Sequence, residues 1–76
     1  MLHQFEITPK MERRVNGTLL TPKMKIFVST KYLDPFANGA EEVIDEYERV
    51  WNYDYRAAHA TKNWFDIERV DYNFKN

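Results

Sequence analysis

The stretch NGAEEVIDEYERVWNYDYRAA, Asn38 to Ala58, decides the fold of this chain. Ala40, Val43, Ile44, Tyr47, Val50 and Trp51 recur at the three-and-four spacing that lines one face of an α-helix. Glu41, Glu42, Asp45, Glu46, Glu48 and Arg49 fill the other faces. Asn38 is placed to accept a hydrogen bond at the N-cap and Glu41, three residues later, to return one, while Glu41 and Glu42 complement the positive end of the helix dipole. Tyr55 and Ala58 extend the apolar stripe, which carries the predicted helix to about residue 58 despite the weak helix formers Asn52 and Asp54.

Immediately before the helix, Met24, Ile26 and Val28 alternate with Lys23, Lys25, Phe27 and Ser29, predicting a strand from Lys23 to Thr30 with one apolar face. The connection from Lys31 to Ala37 contains Asp34-Pro35, whose proline biases the preceding residue away from helix. Further upstream, Asn16-Gly17 is the dipeptide best suited to positive φ at both central positions of a type I′ hairpin turn, here joining Met11–Val15 to Thr18–Leu20. Arg13 and Arg14 are adjacent in that hairpin and point to opposite faces, so at most one lies on the core side. Phe5 and Ile7 alternate with Gln4 and Glu6 in a first strand ending at Thr8-Pro9, and Thr21-Pro22 marks a break. A TPKM string occurs at Thr8 to Met11 and again at Thr21 to Met24, but without surrounding similarity it reads as chance.

After the helix, Phe65 and Ile67 alternate with Asp66 and Glu68, and then Val70, Tyr72 and Phe74 alternate with Asp71 and Asn73. The change of register at Glu68-Arg69 predicts a β-bulge inside a last strand running from Trp64 to Phe74. The predicted fold is α+β: a small antiparallel or mixed sheet of three to four strands, packed on one face by a single long amphipathic helix, in the order β-β-β-α-β. The helical connection is long enough for a right-handed crossover between parallel neighbours, and antiparallel placement of the last strand stays open.

Seventy-six residues make a single domain, 1–76, and a chain of this size buries roughly 60% of its unfolded surface, so its stability should be modest. The composition, 43% hydrophobic and 16% aromatic, is too rich in core-forming side chains for disorder. With no cysteine, neither disulfides nor a thiolate zinc cage can reinforce the core, which points to a reducing, cytoplasmic setting. Met1 to Ile7 lack the basic start and apolar run of a signal peptide, and no stretch approaches the roughly 20 apolar residues that cross a bilayer. The net charge of −1 conceals an uneven distribution: six bases against two acids up to Leu33, and ten acids against five bases from Asp34 onward.

The parts required for catalysis are scarce. There is no cysteine, Ser29 is the only serine, and His3 and His59 are far apart in sequence. Gly17 and Gly39 are explained by turns, so no glycine-rich phosphate loop exists. His59 sits where a helix end would favour an imidazolium, and reads as a solvated side chain. No enzyme activity, cofactor or metal is expected.

What stands out is the combination of charge and aromatic residues. At about 100° per residue, Tyr53 falls about 200° from Trp51 and is expected outside the core. The leading expectation is a non-catalytic regulator or inhibitor that presents the acidic helix face, Glu41, Glu42, Asp45, Glu46, Glu48 and Arg49 with Tyr53 as aromatic anchor, to a partner protein with a basic surface. The layout resembles that of many small regulators, phage inhibitors of host enzymes among them, by analogy of layout alone. The alternative is a single-stranded nucleic-acid-binding module using Lys10, Arg13, Arg14, Lys23, Lys25 and Phe27 as a basic sheet with a stacking platform. That alternative lacks an RNA-recognition signature, and the sequence pI near 6.1 disfavours it. Phe27 and its neighbours could instead pair two copies of the chain.

Overall fold

Alternation in the first strand, β1 (His3–Pro9), sends Phe5, Ile7 and Pro9 to one side, where all three are buried. The computed structural model describes residues 2–70. The hairpin strands β2 (Arg13–Val15) and β3 (Thr18–Leu20) form their own two-stranded ladder, and β4 (Ile26–Thr30), the helix α1 (Glu41–Trp51) and β5 (Phe65–Arg69) complete the order. β1 lies at the centre of a three-stranded sheet, β4-β1-β5, antiparallel throughout. Phe5 lies opposite Val28, Ile7 opposite both Ile26 and Ile67, and Pro9 opposite Phe65. The architecture is thus α+β as read from the sequence, and the last strand joins β1 in antiparallel fashion rather than lying parallel beside β4.

α1 packs chiefly on β4 and buries Val43 and Tyr47 completely. The core beneath it is aromatic. Phe65 meets Phe36 and Tyr47 with ring centroids 5.6 Å apart and Tyr55 at 6.1 Å, the last pair nearly parallel, and Tyr47 meets Tyr53 edge-on at 5.6 Å. Such offset and edge contacts are the arrangements that ring quadrupoles favour. The Asn16-Gly17 turn has the two positive φ values, 50° and 80°, of the predicted hairpin. Asn16 Nδ2 donates to the Ala57 carbonyl at 2.6 Å, tying the hairpin to the segment after the helix.

The helix differs from expectation at both ends. Asn38, Gly39 and Ala40 all have positive φ (57°, 82° and 57°), so Ala40 precedes the helix and no side chain caps it. Asparagine and glycine tolerate the left-handed region, and that tolerance, rather than the capping oxygen of Asn38, is what the chain uses. At the other end Asn52 adopts φ 52°, and the N–H groups of Asn52 and Tyr53 close onto the Glu48 and Tyr47 carbonyls at 3.0 and 3.1 Å. A left-handed asparagine is a common helix stop, and α1 ends at Trp51, well short of residue 58.

Three further features depart from what residue spacing predicts. Val50 and Trp51, placed in the core by helical spacing, are 44% and 40% exposed, and the Trp51 indole lies at the Lys25 carbonyl, just before β4. β4 begins at Ile26 rather than Lys23, since Thr21 to Met24 forms a turn closed by Met24 N–H on the Thr21 carbonyl, although Met24 is still buried. β5 carries no bulge at Glu68-Arg69: the ladder with β1 is regular to Arg69, and Val70 N–H continues it onto the Gln4 carbonyl at 2.8 Å. The apparent shift arises because Arg69 occupies an inward position opposite Phe5 at the sheet edge and still reaches solvent. The predicted continuation through Tyr72 and Phe74 lies outside the described residues. No helix among the described residues is long and apolar enough to cross a membrane.

Candidate partner-binding surface

Because Val43 and Tyr47 fix which side of α1 faces β4, the charged residues between them are turned away from the core. Glu41, Asp45, Glu48 and Arg49 are exposed, and Glu42 and Glu46 are half-buried along the flank that meets β4. Thr30 Oγ1 donates to Glu42 Oε2 at 3.4 Å, and Arg49 Nε donates to Glu46 Oε1 at 3.1 Å. The Glu46 hydrogen bond holds the Arg49 guanidinium above its ordinary pKa. Of the five acids on α1, only Glu46 takes part in an ion pair among the described residues. The helix therefore turns Glu41, Asp45 and Glu48 to solvent, with Glu42 and Glu46 at the margin.

Tyr53 does not belong to that face. It is 4% exposed and packs edge-on against Tyr47, with burial raising its hydroxyl pKa and a hydrogen bond with Thr18 opposing that rise. Helical spacing would turn it outward only if the helix continued beyond Trp51. The left-handed Asn52 ends the helix first and turns the chain inward. Among the described residues the exposed aromatic side chains are Phe27, 51% exposed, and Trp51, 40% exposed.

Two grooves border this face. One, of about 350 Å³, is lined by Phe27, Val28 and Ser29 of β4 and by Glu42, Asp45 and Glu46 of α1. Since Phe27 and Ser29 point to the sheet face opposite the helix, a groove touching them and α1 must run around the outer edge of β4. The other, of about 290 Å³, lies past the C-terminal end of α1, with Asp45, Glu48, Asp54 and Arg56 among its walls. Asp45 borders both.

The basic residues are dispersed. Arg13 lies with its guanidinium carbon 4.5 Å from the Trp64 ring centroid, a cation–π arrangement, and Arg14 is exposed on the hairpin, which is a separate ladder from β4. Lys25 is ion-paired with Glu6, while Lys10 and Lys23 are exposed in turns. Phe27 stands opposite Glu6, itself opposite Glu68, on a sheet face that also carries Asp66. Among the described residues the face around Phe27 thus carries Glu6, Asp66 and Glu68 against the single base Lys25, and the structure does not gather Arg13, Arg14 and Phe27 into one basic platform. Among the described residues no cluster of three or more histidines and carboxylates is arranged to hold a metal ion.

A model for a family of unknown function (DUF6140) matches residues 1–67. The chain belongs to this family. No curated protein and no solved structure matches it. The match covers β1 through most of β5, so it includes the acidic helix and both edges of the sheet.

Proposed function

We propose that this protein is a non-catalytic binding module, a small regulator or inhibitor that holds a partner protein with a basic surface against the outer face of α1. The observation that carries this reading is the exposed acidic face of Glu41, Asp45 and Glu48 beside a groove rimmed by the exposed ring of Phe27. In this reading the carboxylates steer the encounter, and Phe27 and Trp51, rather than Tyr53, supply apolar contact.

The test is affinity capture from the source cells at low salt, repeated with a Glu41→Lys, Asp45→Lys, Glu48→Lys variant whose fold is verified by circular dichroism. The reading expects a basic protein captured by the natural chain, released by moderate salt and lost with the variant. Capture of the same partner by both chains would refute the acidic face as the binding surface.

A further inference from the structure

The sheet has two outer strands, and they are protected differently. β5 carries Asp66, Glu68 and Arg69, all exposed, and charged side chains are the usual way in which an unpaired edge is kept from recruiting another strand. β4, with the sequence IFVST, has neither a charge nor a proline, and its exposed side chains are Phe27 and Ser29. Among the described residues no strand pairs with its outer edge.

The hydrogen-bond phase of the sheet shows what that edge offers. The Gln4 carbonyl accepts from Val70 and Lys10 N–H donates to the Trp64 carbonyl, so the even-numbered residues of β1 turn towards β5. Alternation turns Phe5 and Ile7 towards β4, where they face Val28 and Ile26. Ile26, Val28 and Thr30 are therefore engaged with β1, and Phe27 and Ser29 direct their backbone N–H and C=O groups outward, into the groove whose far wall is Glu42, Asp45 and Glu46.

We infer that the outer edge of β4 takes up an extended segment of the partner protein as an added strand, one with basic residues at alternate positions and apolar residues between them. This rests on the acidic-face reading above and specifies how the partner is held. An added strand pairs with Phe27 and Ser29, and its alternate side chains fall on opposite faces of the sheet. Those on the helix side meet the carboxylates of Glu42, Asp45 and Glu46, and those on the other side lie along Phe27 and the shallow groove of about 210 Å³ beside Gln4. Charge also argues against a second copy of this chain. Two-fold antiparallel pairing of β4 with itself keeps both helices on the same sheet face and brings two acidic flanks together.

The probe is a synthetic peptide of alternating lysine and valine, with an alternating glutamate and valine peptide as control, titrated into the full chain at low salt while backbone amide signals and hydrogen exchange are followed. The lysine peptide is expected to bind, to weaken with salt and to protect the Phe27 and Ser29 amides, while the glutamate peptide does not bind. Ser29→Pro removes an outward N–H without touching the β1 ladder, and is expected to weaken binding by about tenfold or more. Amide protection in the natural chain decides the matter should that variant fail to fold. Binding that perturbs Glu41, Asp45 and Glu48 without protecting Phe27 and Ser29 overturns strand addition and leaves the acidic-face reading standing. No binding of the lysine peptide overturns strand addition, and the acidic-face reading is then decided by capture with the triple lysine variant. Dimerisation of the natural chain that Ser29→Pro abolishes would make a second copy the occupant and also overturn the inference.

Discussion

The indole N–H of Trp51 donates to the backbone carbonyl of Lys25 at 3.1 Å, across a sequence separation of 26 residues. This bond fastens the last residue of α1 to the residue just before β4, and both partners are open to water. Trp51→Phe keeps most of the ring and removes the donor, so it should cost about 0.5–1.5 kcal/mol, with the Lys25 carbonyl left hydrated rather than orphaned. Trp51→Ala should cost more, because the ring contact is lost as well. Urea unfolding midpoints of the two variants separate hydrogen bond from packing, and equal costs would mean that the ring contributes nothing.

Tyr47 is fully buried, and its hydroxyl makes no hydrogen bond among the described residues. Its value to the fold lies in the ring, which touches both Phe65 and Tyr53. Removing the hydroxyl removes an unpaired buried polar group, so Tyr47→Phe should be neutral or stabilising by up to about 1 kcal/mol. Tyr47→Ala should lose about 3–5 kcal/mol, as other large aromatic truncations in cores do. Thermal or urea melts check both, and a clear loss in Tyr47→Phe would show that the hydroxyl has a partner.

The same cluster predicts an alkaline limit. Burial, the largest cause, raises the hydroxyl pKa values of Tyr47, Tyr53 and Tyr55 together, that of Tyr55 to about 12. A tyrosine ionises by losing a proton, and the unfolded chain does so near its ordinary value of about 10 while the folded chain still holds it. Stability is therefore complete below about pH 10 and declines as pH rises through the folded values. Tyrosinate absorbance and the near-ultraviolet circular dichroism of the core should change together in a pH titration. Tyr47→Phe should make the decline shallower, and tyrosines ionising freely in an intact fold would contradict the burial of all three.

Much of the fold is legible in residue spacing, and the departures at the two ends of α1 share a cause. The alternations around Ile7 and Val28 and the spacing of Val43 and Tyr47 each report a single buried face, and burial obeyed them all. Periodicity says nothing about where an element stops, and each stop here depends on backbone conformation. Asn52 is a weak helix former by propensity, but its tolerance of positive φ is what ends α1 and carries Tyr53 inward. The side chain of Asn38 suits a capping role, and the same residue also suits the left-handed turn that it makes. The acidic face could be read because charge and helical spacing coincide there. The open edge of β4 could not, because strand order is a long-range property that no local pattern carries.

The Asn16-Gly17 turn allows backbone strain and a tertiary bond to be measured apart. Gly17 has φ +80°, and a Cβ added there meets nothing within 4 Å, so Gly17→Ala should cost about 1–2 kcal/mol from left-handed strain alone. Asn16→Gly accommodates the positive φ of 50° and loses only the side-chain bond to the Ala57 carbonyl, a cost of about 0.5–1.5 kcal/mol. Urea melts give the two costs. Because the hairpin is a ladder separate from β4, neither change should alter affinity for a lysine–valine peptide. An affinity change in either folded variant would place the hairpin in contact with the binding edge.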